Sequence, residues 1–164
     1  MKLFNIILFI ALGLVGNVLA QQSTAVLTPS YSTEWRTDME RLKQKNAERC
    51  ANPEFKEYYE MSPCLVEEIS FKHISDTTKI TPEQKKVFAK VRAEIDASLR
   101  ERARIDREAG NGFAAETALR FLIPQNDANN LDIYNGKINW GDYNTKRREI
   151  FNNFIAEMRK GAKN

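Results

Sequence analysis

The feature that most constrains this fold is a run of about 28 residues with the pattern of one helix, roughly 42 Å long at 1.5 Å per residue. It begins at Thr81-Pro82-Glu83-Gln84, where the Thr81 hydroxyl can accept from the amide three residues later and Gln84 can reach back. Gly110-Asn111-Gly112 ends the run. Between them, one apolar stripe recurs at helical spacing, at Phe88, Val91, Ile95, Leu99 and Ile105. We therefore expect an all-α bundle in which short helices cross one long central helix.

The chain before this run also favours helices over strands. The sequence has only 7 glycines and 5 prolines, and no segment alternates apolar and polar residues as a strand does. Residues 33–49 form the first predicted helix, with Trp35, Met39 and Leu42 on one face.

Two proline-containing segments before the long run each resemble a helix start. In Asn52-Pro53-Glu54 and in Ser62-Pro63, proline fits the first turn and the preceding polar residue can cap it. The first segment opens a short helix that carries Phe55, Tyr58 and Tyr59. The second opens a third helix that carries Cys64, Leu65, Val66 and Ile69.

After the long run we expect three more helices. The first carries Phe113, Leu119 and Leu122 until Pro124 breaks or bends it. The second is polar and carries Leu131 and Tyr134. The last contributes six large residues to the core: Tyr143, Ile150, Phe151, Phe154, Ile155 and Met158.

A structural turn should fold this last helix back onto the bundle. Gly136 is expected to end the preceding helix at positive φ, and Asn139 to cap the last helix, with Asp142 in its first turn. Trp140 follows the cap and should be partly buried at the end of the core.

The first 20 residues have the pattern of a cleavable secretory signal. Lys2 precedes a mostly apolar run over residues 3–15, and Val18-Leu19-Ala20 supplies small residues before a cut. The run is shorter than the ~20 residues that a membrane-spanning helix needs, which disfavours an uncleaved anchor. We expect a signal peptide at residues 1–20, a flexible leader at 21–32, and a helical domain at 33–164 in the periplasm or secreted. The mature chain should have no transmembrane segment.

Cys50 and Cys64 are the only two cysteines. Export would place them in an oxidising compartment, where pairing is the default. Closing a loop of this length would stabilise the fold by roughly 3 kcal/mol. A redox-active pair is disfavoured because such cysteines usually lie two residues apart at a helix start. We therefore predict a structural disulfide.

Metal sites and cofactors are not indicated. His73 is the only histidine, so it cannot by itself supply a metal site or a catalytic triad. The segment around Gly136 is superficially similar to a calcium loop. Aligning Gly136 with the sixth loop position puts Leu131 and Ile133 at the first and third ligand positions, where neither offers a side-chain oxygen.

Acidic residues leave one enzymatic alternative open. A glycosidase needs two carboxyl groups that flank its substrate, and Glu67, Glu68 and Glu116 stand beside apolar residues. Nothing in the sequence marks these residues as general acids, so we assign no catalytic residue.

Basic residues are concentrated on the long predicted helix. The formal net charge of +3 is too small to indicate a nucleic-acid-binding protein. Arg100, Arg102, Arg104 and Arg107 nevertheless form a candidate basic binding face for an anionic lipid, a glycan or an acidic partner. The alternative is an ordinary solvated helix face.

One ordered set of segments resembles a group of small exported proteins of Gram-negative bacteria. The set consists of Cys50 and Cys64, then residues 74–85, residues 131–144 and Arg147-Arg148. This resemblance implies an envelope location and a helical fold, and it identifies no catalytic residue.

Three functional hypotheses follow from the sequence. The first is a non-enzymatic periplasmic or secreted binding protein that contacts another envelope protein or an anionic envelope component. The alternatives are a small cell-wall glycan hydrolase with a carboxylate pair, and a structural or stress-abundance protein. A cleft lined by convergent carboxylates would favour the hydrolase, and a flat arginine-rich face without a pocket would favour the binding protein.

Overall fold

The structure is a computed structural model that describes residues 32–161. The predicted signal peptide, the expected cleavage before Gln21, nearly all of the leader and residues 162–164 lie outside the described residues. Within residues 32–161 the secondary structure is helical, without a β-strand. No helix in this part of the chain combines the length and apolar character needed to cross a membrane.

The all-α fold with one long central helix is confirmed. The α-helices are α1 (Thr33–Ala51), α2 (Lys56–Met61), α3 (Phe71–Ile74), α4 (Pro82–Glu108), α5 (Gly112–Thr117), α6 (Ile123–Tyr134) and α7 (Trp140–Gly161). Short 3-10 turns lie at Pro53–Phe55 and Val66–Glu68, and a π-helical segment at Ala118–Leu122 joins α5 to α6.

Helix α4 begins where the sequence predicts. The Gln84 amide donates to the Thr81 hydroxyl at 3.2 Å, and the Thr81 amide donates to Gln84 Oε1 at 3.0 Å. These reciprocal bonds satisfy two amides at the helix start that have no partner within the helix.

Helix α1 lies antiparallel to α4 along much of its length. Trp35 Nε1 donates to Asp106 near the end of α4 at 3.2 Å, and Arg49 donates to Ser98 Oγ at 3.1 Å. Leu42 is the only buried residue of α1, so polar contacts hold much of this helix in place.

The predicted third helix at Ser62-Pro63 is wrong. Only the 3-10 turn Val66–Glu68 forms there. Ser62 does not cap a helix because its hydroxyl is buried and donates to Asn144 Oδ1 at 2.6 Å. The Pro63 carbonyl accepts from Arg147 Nη1 at 3.0 Å. The Ser62 hydroxyl and the Pro63 carbonyl are therefore hydrogen-bonded to residues of α7 and do not begin a helix.

The break or bend expected at Pro124 takes the form of the π-helical segment Ala118–Leu122 just before it, through which the chain continues into α6. Proline has no N–H and would crowd the carbonyl four residues earlier in a regular helix. The wider π turn reduces this crowding of the carbonyl, since the Ile123 amide donates to Ala118 O, five residues back.

The predicted polar helix forms as α6, but the two apolar residues named for it are not its buried residues. Leu131 is 57% exposed and Tyr134 is 40% exposed, whereas Ile133 and Asn129 are buried. The sequence pattern was ambiguous because α6 contains few apolar residues, and the backbone shift before it changes which side faces the bundle.

The turn into α7 has the expected geometry. Gly136 has a φ of 70°, and the Asp142 amide donates to Asn139 Oδ1 at 2.8 Å. Trp140 was expected to be partly buried, but it is almost completely buried, with only 1% of its surface exposed. It lies deeper because the Trp140 and Gly141 amides donate to Thr78 O and Asp76 O at 3.0 and 2.8 Å.

Two cores of different character lie along α4. The aromatic half consists of Phe55, Tyr58, Ile80, Phe88, Val91, Ile133, Trp140 and Tyr143. The hollow half is built on three alanines, Ala103, Ala115 and Ala118, with Leu119 and Phe154 packed against them. In α7, Ile150 is buried as expected, but Phe151, Phe154, Ile155 and Met158 are only half-buried, because they border the hollow half.

Candidate functional site

The two cysteines form the predicted disulfide, with 5.7 Å between their Cα atoms. Cys50 lies in the last turn of α1, and Cys64 lies in the irregular segment that follows Pro63. The sequence predicted that Cys64 would lie in a third helix. No helix forms there, so the disulfide does not attach α1 to one. It attaches the end of α1 to the segment between α2 and α3.

The four arginines of the candidate basic face are all paired with carboxylates. Arg100 pairs with Asp96 and Arg102 with Asp106, at 2.8 and 2.7 Å. Arg104 pairs with Glu108 at 2.5 Å, and Arg107 pairs with Glu116 at 2.8 Å. The pairs lower the positive charge that this face presents to solvent.

The carboxylates considered for an enzyme do not form a catalytic pair. Glu67 and Glu68 are exposed. Glu116 accepts from Arg107 and Arg120, and these hydrogen bonds hold the pKa of its carboxyl below the ordinary value. A general acid needs the opposite shift.

His73 has a local structural role. The Ser70 amide donates to His73 Nδ1 at 3.1 Å, which helps to cap the short helix α3. Among residues 32–161, no group of three or more His, Cys, Asp or Glu side chains is placed to hold a metal ion.

The hollow half contains a cavity of about 530 Å³, which is within the size range of small-molecule sites. Most of its wall is apolar and comes from α4, α5, the π-helical segment and α7. These wall residues are Ile95, Leu99, Ala114, Ala118, Leu122, Ile150, Phe151, Phe154, Ile155 and Met158. The cavity exists because small alanines occupy positions where larger side chains would fill the space between helices.

A more open groove of about 1230 Å³ runs along α1. Trp35, Met39 and Leu42 line it from α1. The groove and the cavity share five lining residues, namely Arg49, Cys64, Ile95, Leu99 and Arg102. The disulfide and the middle of α4 therefore border both spaces.

The cavity is strongly cationic for such an apolar space. Four arginines line it, Arg49, Arg92, Arg102 and Arg147, but only one acidic residue does, Asp106. Asp106 is already bonded to Trp35 and Arg102.

Three of these arginines have no ion pair with a carboxylate among residues 32–161. Arg147 donates to Ser62 Oγ and Pro63 O, and Arg49 donates to Asn46 Oδ1 at 2.7 Å. The Nε atoms of Arg49 and Arg92 are buried without a hydrogen-bond partner in the described part of the chain. We name Arg49, Arg92 and Arg147 the interior arginines.

Two buried tyrosines near the interior arginines have pKa values shifted in opposite directions. Burial raises the pKa of Tyr58, but nearby Arg147 and Arg92 and a hydrogen bond with Tyr143 together lower it below the ordinary value. Burial, together with the neighbouring Tyr58, raises the pKa of Tyr143. The two hydroxyl oxygens are 3.4 Å apart.

Sequence reasoning missed the interior arginines. It singled out the arginines at the end of α4 and gave no role to Arg92 or to Arg147, which stands between Lys146 and Arg148. The available signal was helical spacing, since Arg92 is one turn after the buried Phe88, and Arg147 is one turn after the buried Tyr143. Charged residues on that side of a helix face the interior.

No protein-family model matches this chain, and no curated protein or solved structure is similar to it. The functional interpretation therefore rests on the cavity and its interior arginines.

Proposed function

We propose that this chain is a non-enzymatic binding protein of the cell envelope, and that it holds an anionic molecule with an apolar portion in the cavity of the hollow half. The observation that carries the proposal is the apolar cavity lined by three interior arginines without carboxylate partners among the described residues. Positive groups in an apolar space are complementary to a ligand that has both properties.

The free energy of the interior arginines supports this assignment. A buried charged group is costly unless it is paired and hydrogen-bonded. Arg92 keeps its charge, because the neighbouring tyrosines hold its pKa above the ordinary value although burial alone would lower it. An anion in the cavity would therefore gain charge-assisted hydrogen bonds from groups that are otherwise incompletely satisfied.

The surface of α4 is a weaker candidate for the anion site. The four arginines of the candidate basic face each already have a carboxylate partner. Exposed ion pairs contribute little free energy and are screened by salt. A ligand at this face would have to compete with those carboxylates.

The hydrolase alternative gains no support from the geometry. The cavity is lined by a single carboxylate, Asp106, whose oxygens accept from Trp35 Nε1 at 3.2 Å and Arg102 Nε at 2.7 Å. A glycosidase needs two carboxyl groups facing its substrate.

An envelope location is part of the proposal. The signal pattern of residues 1–20 and the Cys50–Cys64 disulfide support it, because disulfides persist in oxidising compartments. The intact mass of protein purified from the envelope fraction should match a chain that begins at Gln21 with its two cysteines oxidised. A mass equal to the full chain would contradict the expected cleavage.

Binding of 1-anilinonaphthalene-8-sulfonate, an anionic aromatic probe, tests the cavity. The mature chain should bind it at one site, with a rise in fluorescence. Arg92→Met should weaken binding by about tenfold or more, because a hydrogen bond to a charged group contributes about 1.5–3 kcal/mol. Each variant must retain a cooperative melting curve, since partly unfolded chains also bind this probe.

Two further variants on α4 make the test specific. Lys90→Met removes an exposed charge from the same helix and should leave the affinity within about twofold of the original, as surface charges contribute little. Arg100→Met should also leave it unchanged. Equal losses in Arg92→Met and Lys90→Met, or a large loss in Arg100→Met alone, would overturn the cavity as the anion site.

A further inference from the structure

The cavity is polarised along its length. Arg92 and Arg147 lie close to Tyr58, and Arg49 lies close to Tyr59. The charges without carboxylate partners among the described residues are therefore gathered where α2 meets α4 and α7. At the other end of the cavity, Arg102 is neutralised by Asp106.

The part of the cavity beyond the interior arginines is suited to a hydrocarbon chain. On α7, the lining residues run from Arg147 through Phe151 and Phe154 to Met158, about 16 Å along the helix axis. Across the cavity, α4 contributes Ile95 and Leu99. The one neutral polar side chain of this wall, Asn126, donates its amide to Leu122 O at 3.0 Å. No charged group that lacks a partner lies along this path in the described part of the chain.

The charged end of the cavity is bordered by packed aromatic rings. It abuts the aromatic half, where Tyr58, Phe88, Trp140 and Tyr143 pack with ring centroids 5.8–6.2 Å apart. Tyr59 lines the adjoining groove rather than the cavity, and its buried hydroxyl lies beside Arg49. Burial raises the pKa of Tyr59, which keeps this hydroxyl protonated.

We propose that the ligand is a long-chain fatty acid, whose carboxylate binds Arg92 and Arg49 and whose acyl chain extends along α7 towards Met158. This inference rests on the proposed function and adds the chemical class and orientation of the ligand. A planar carboxylate can accept from two guanidinium groups, and each new bond satisfies a buried donor. The apolar wall then removes the acyl chain from water.

Competition with the bound fluorescent probe tests the ligand class on the mature chain. Laurate, dodecanol and dodecyltrimethylammonium share one hydrocarbon tail and differ in head group. Used below their micelle concentrations, laurate should displace the probe at a concentration at least about tenfold lower than dodecanol, as expected for added charge-assisted hydrogen bonds. The cationic analogue should not displace it. Equal displacement by laurate and dodecanol would overturn the inference.

A second comparison distinguishes the carboxylate from a phosphate head group. Lysophosphatidic acid with a lauroyl chain should displace the probe less effectively than laurate, because its glycerol phosphate is larger than a carboxylate and the charged end abuts the packed aromatic half. Tighter binding of the lysophospholipid would overturn the fatty-acid assignment and leave an anionic amphiphile as the ligand.

Arg49→Met provides a second variant should Arg92→Met fail to fold, since Arg49 is only half-buried and also lines the open groove along α1. It should weaken laurate binding by about tenfold and leave dodecanol binding unchanged. Arginine-dependent binding of the fluorescent probe without displacement by laurate contradicts the fatty acid only. Absence of arginine-dependent probe binding contradicts the proposed function as well.

Discussion

The two ends of α4 are packed differently, since the start of the helix lies in a filled core and its end borders a cavity. At its start, four aromatic rings interlock in the aromatic half, and Val91 has no exposed surface. At its end, Ala103, Ala115 and Ala118 bring helices together without filling the space between them. The comparison shows that one continuous helix can support both a solid core and a cavity, depending on the volume of the residues facing it.

The aromatic half and the hollow half also differ in whether their buried polar groups have hydrogen-bond partners. In the aromatic half, the Asn144 amide donates to Met61 O and His73 O at 2.8 and 3.2 Å, and Ser62 donates to its carbonyl. Trp140 Nε1 is the exception there, without a partner in the described part of the chain. Beside the hollow half, the Nε atoms of Arg49 and Arg92 lack partners among the same residues. Polar groups of the solid core mostly fix the chain, whereas those at the cavity retain capacity for a ligand.

Truncating one phenylalanine in each half should give the largest contrast. Phe88→Ala should lower the free energy of unfolding by about 3–5 kcal/mol, because it leaves a void in a filled core. Phe154→Ala should cost only about 1–2 kcal/mol, because Phe154 is half-buried and already borders a cavity. Urea denaturation measures both values. Equal losses would show that the two halves are packed alike.

Removing the disulfide should affect α1 more than the aromatic half. Cys50→Ser with Cys64→Ser should lower the free energy of unfolding by about 3 kcal/mol in the chain-entropy model. Because α1 has a single buried residue, its amides should exchange with solvent faster than those at the start of α4. Denaturation and hydrogen exchange measure these effects. A melting temperature that reducing agent leaves unchanged would contradict the stabilising role.

The sequence predicts the elements whose causes are local. The Thr81–Gln84 capping box, the apolar period of α4 and the left-handed glycine at Gly136 each depend on neighbours a few residues away. The failure at Ser62 has a tertiary cause. Ser62 bonds to α7, more than 80 residues later, and the local pattern does not contain this interaction.

The candidate site is harder to predict because a cavity is an absence of side-chain volume. The sequence shows that Ala114 and Ala118 are small, but not that they line an open space between helices. The density of basic residues is also a poor guide to the anion site, because the clustered Arg100 and Arg104 pair with carboxylates one turn away. Arg92 also has a carboxylate one turn away, Asp96, but Asp96 pairs with Arg100. The lack of an ion pair at Arg92 among the described residues is therefore recognisable only from the structure.

A glycine in each half provides a backbone version of the comparison. Gly141 allows α7 to approach the chain before α4, where an added Cβ would lie 2.5 Å from Ile74 O and 2.7 Å from Asp76 O. Gly141→Ala should therefore destabilise the fold by about 1–3 kcal/mol, since neither carbonyl can move freely. Thermal denaturation measures the loss.

The matched control is Gly112→Ala at the start of α5, where an added Cβ meets no atom within 4 Å. This change should be neutral or stabilising by less than about 1 kcal/mol. Equal destabilisation by the two alanines would show that the close approach of α7 is not a structural requirement.

Filling the cavity should have the smallest effect on stability and a clear effect on binding. Ala118 lines the cavity, so the larger side chain of Ala118→Leu can enter existing space. We expect the free energy of unfolding to change by less than about 1 kcal/mol, because gained apolar contact offsets local crowding. Val91→Leu in the aromatic half adds less volume but should cost about 1–3 kcal/mol, because no space is available there. Ala118→Leu should also weaken binding of the anionic fluorescent probe, whereas Val91→Leu should not while the chain remains folded. Destabilisation by Ala118→Leu equal to that of Val91→Leu, together with unchanged probe binding, would contradict a cavity that is open to ligands.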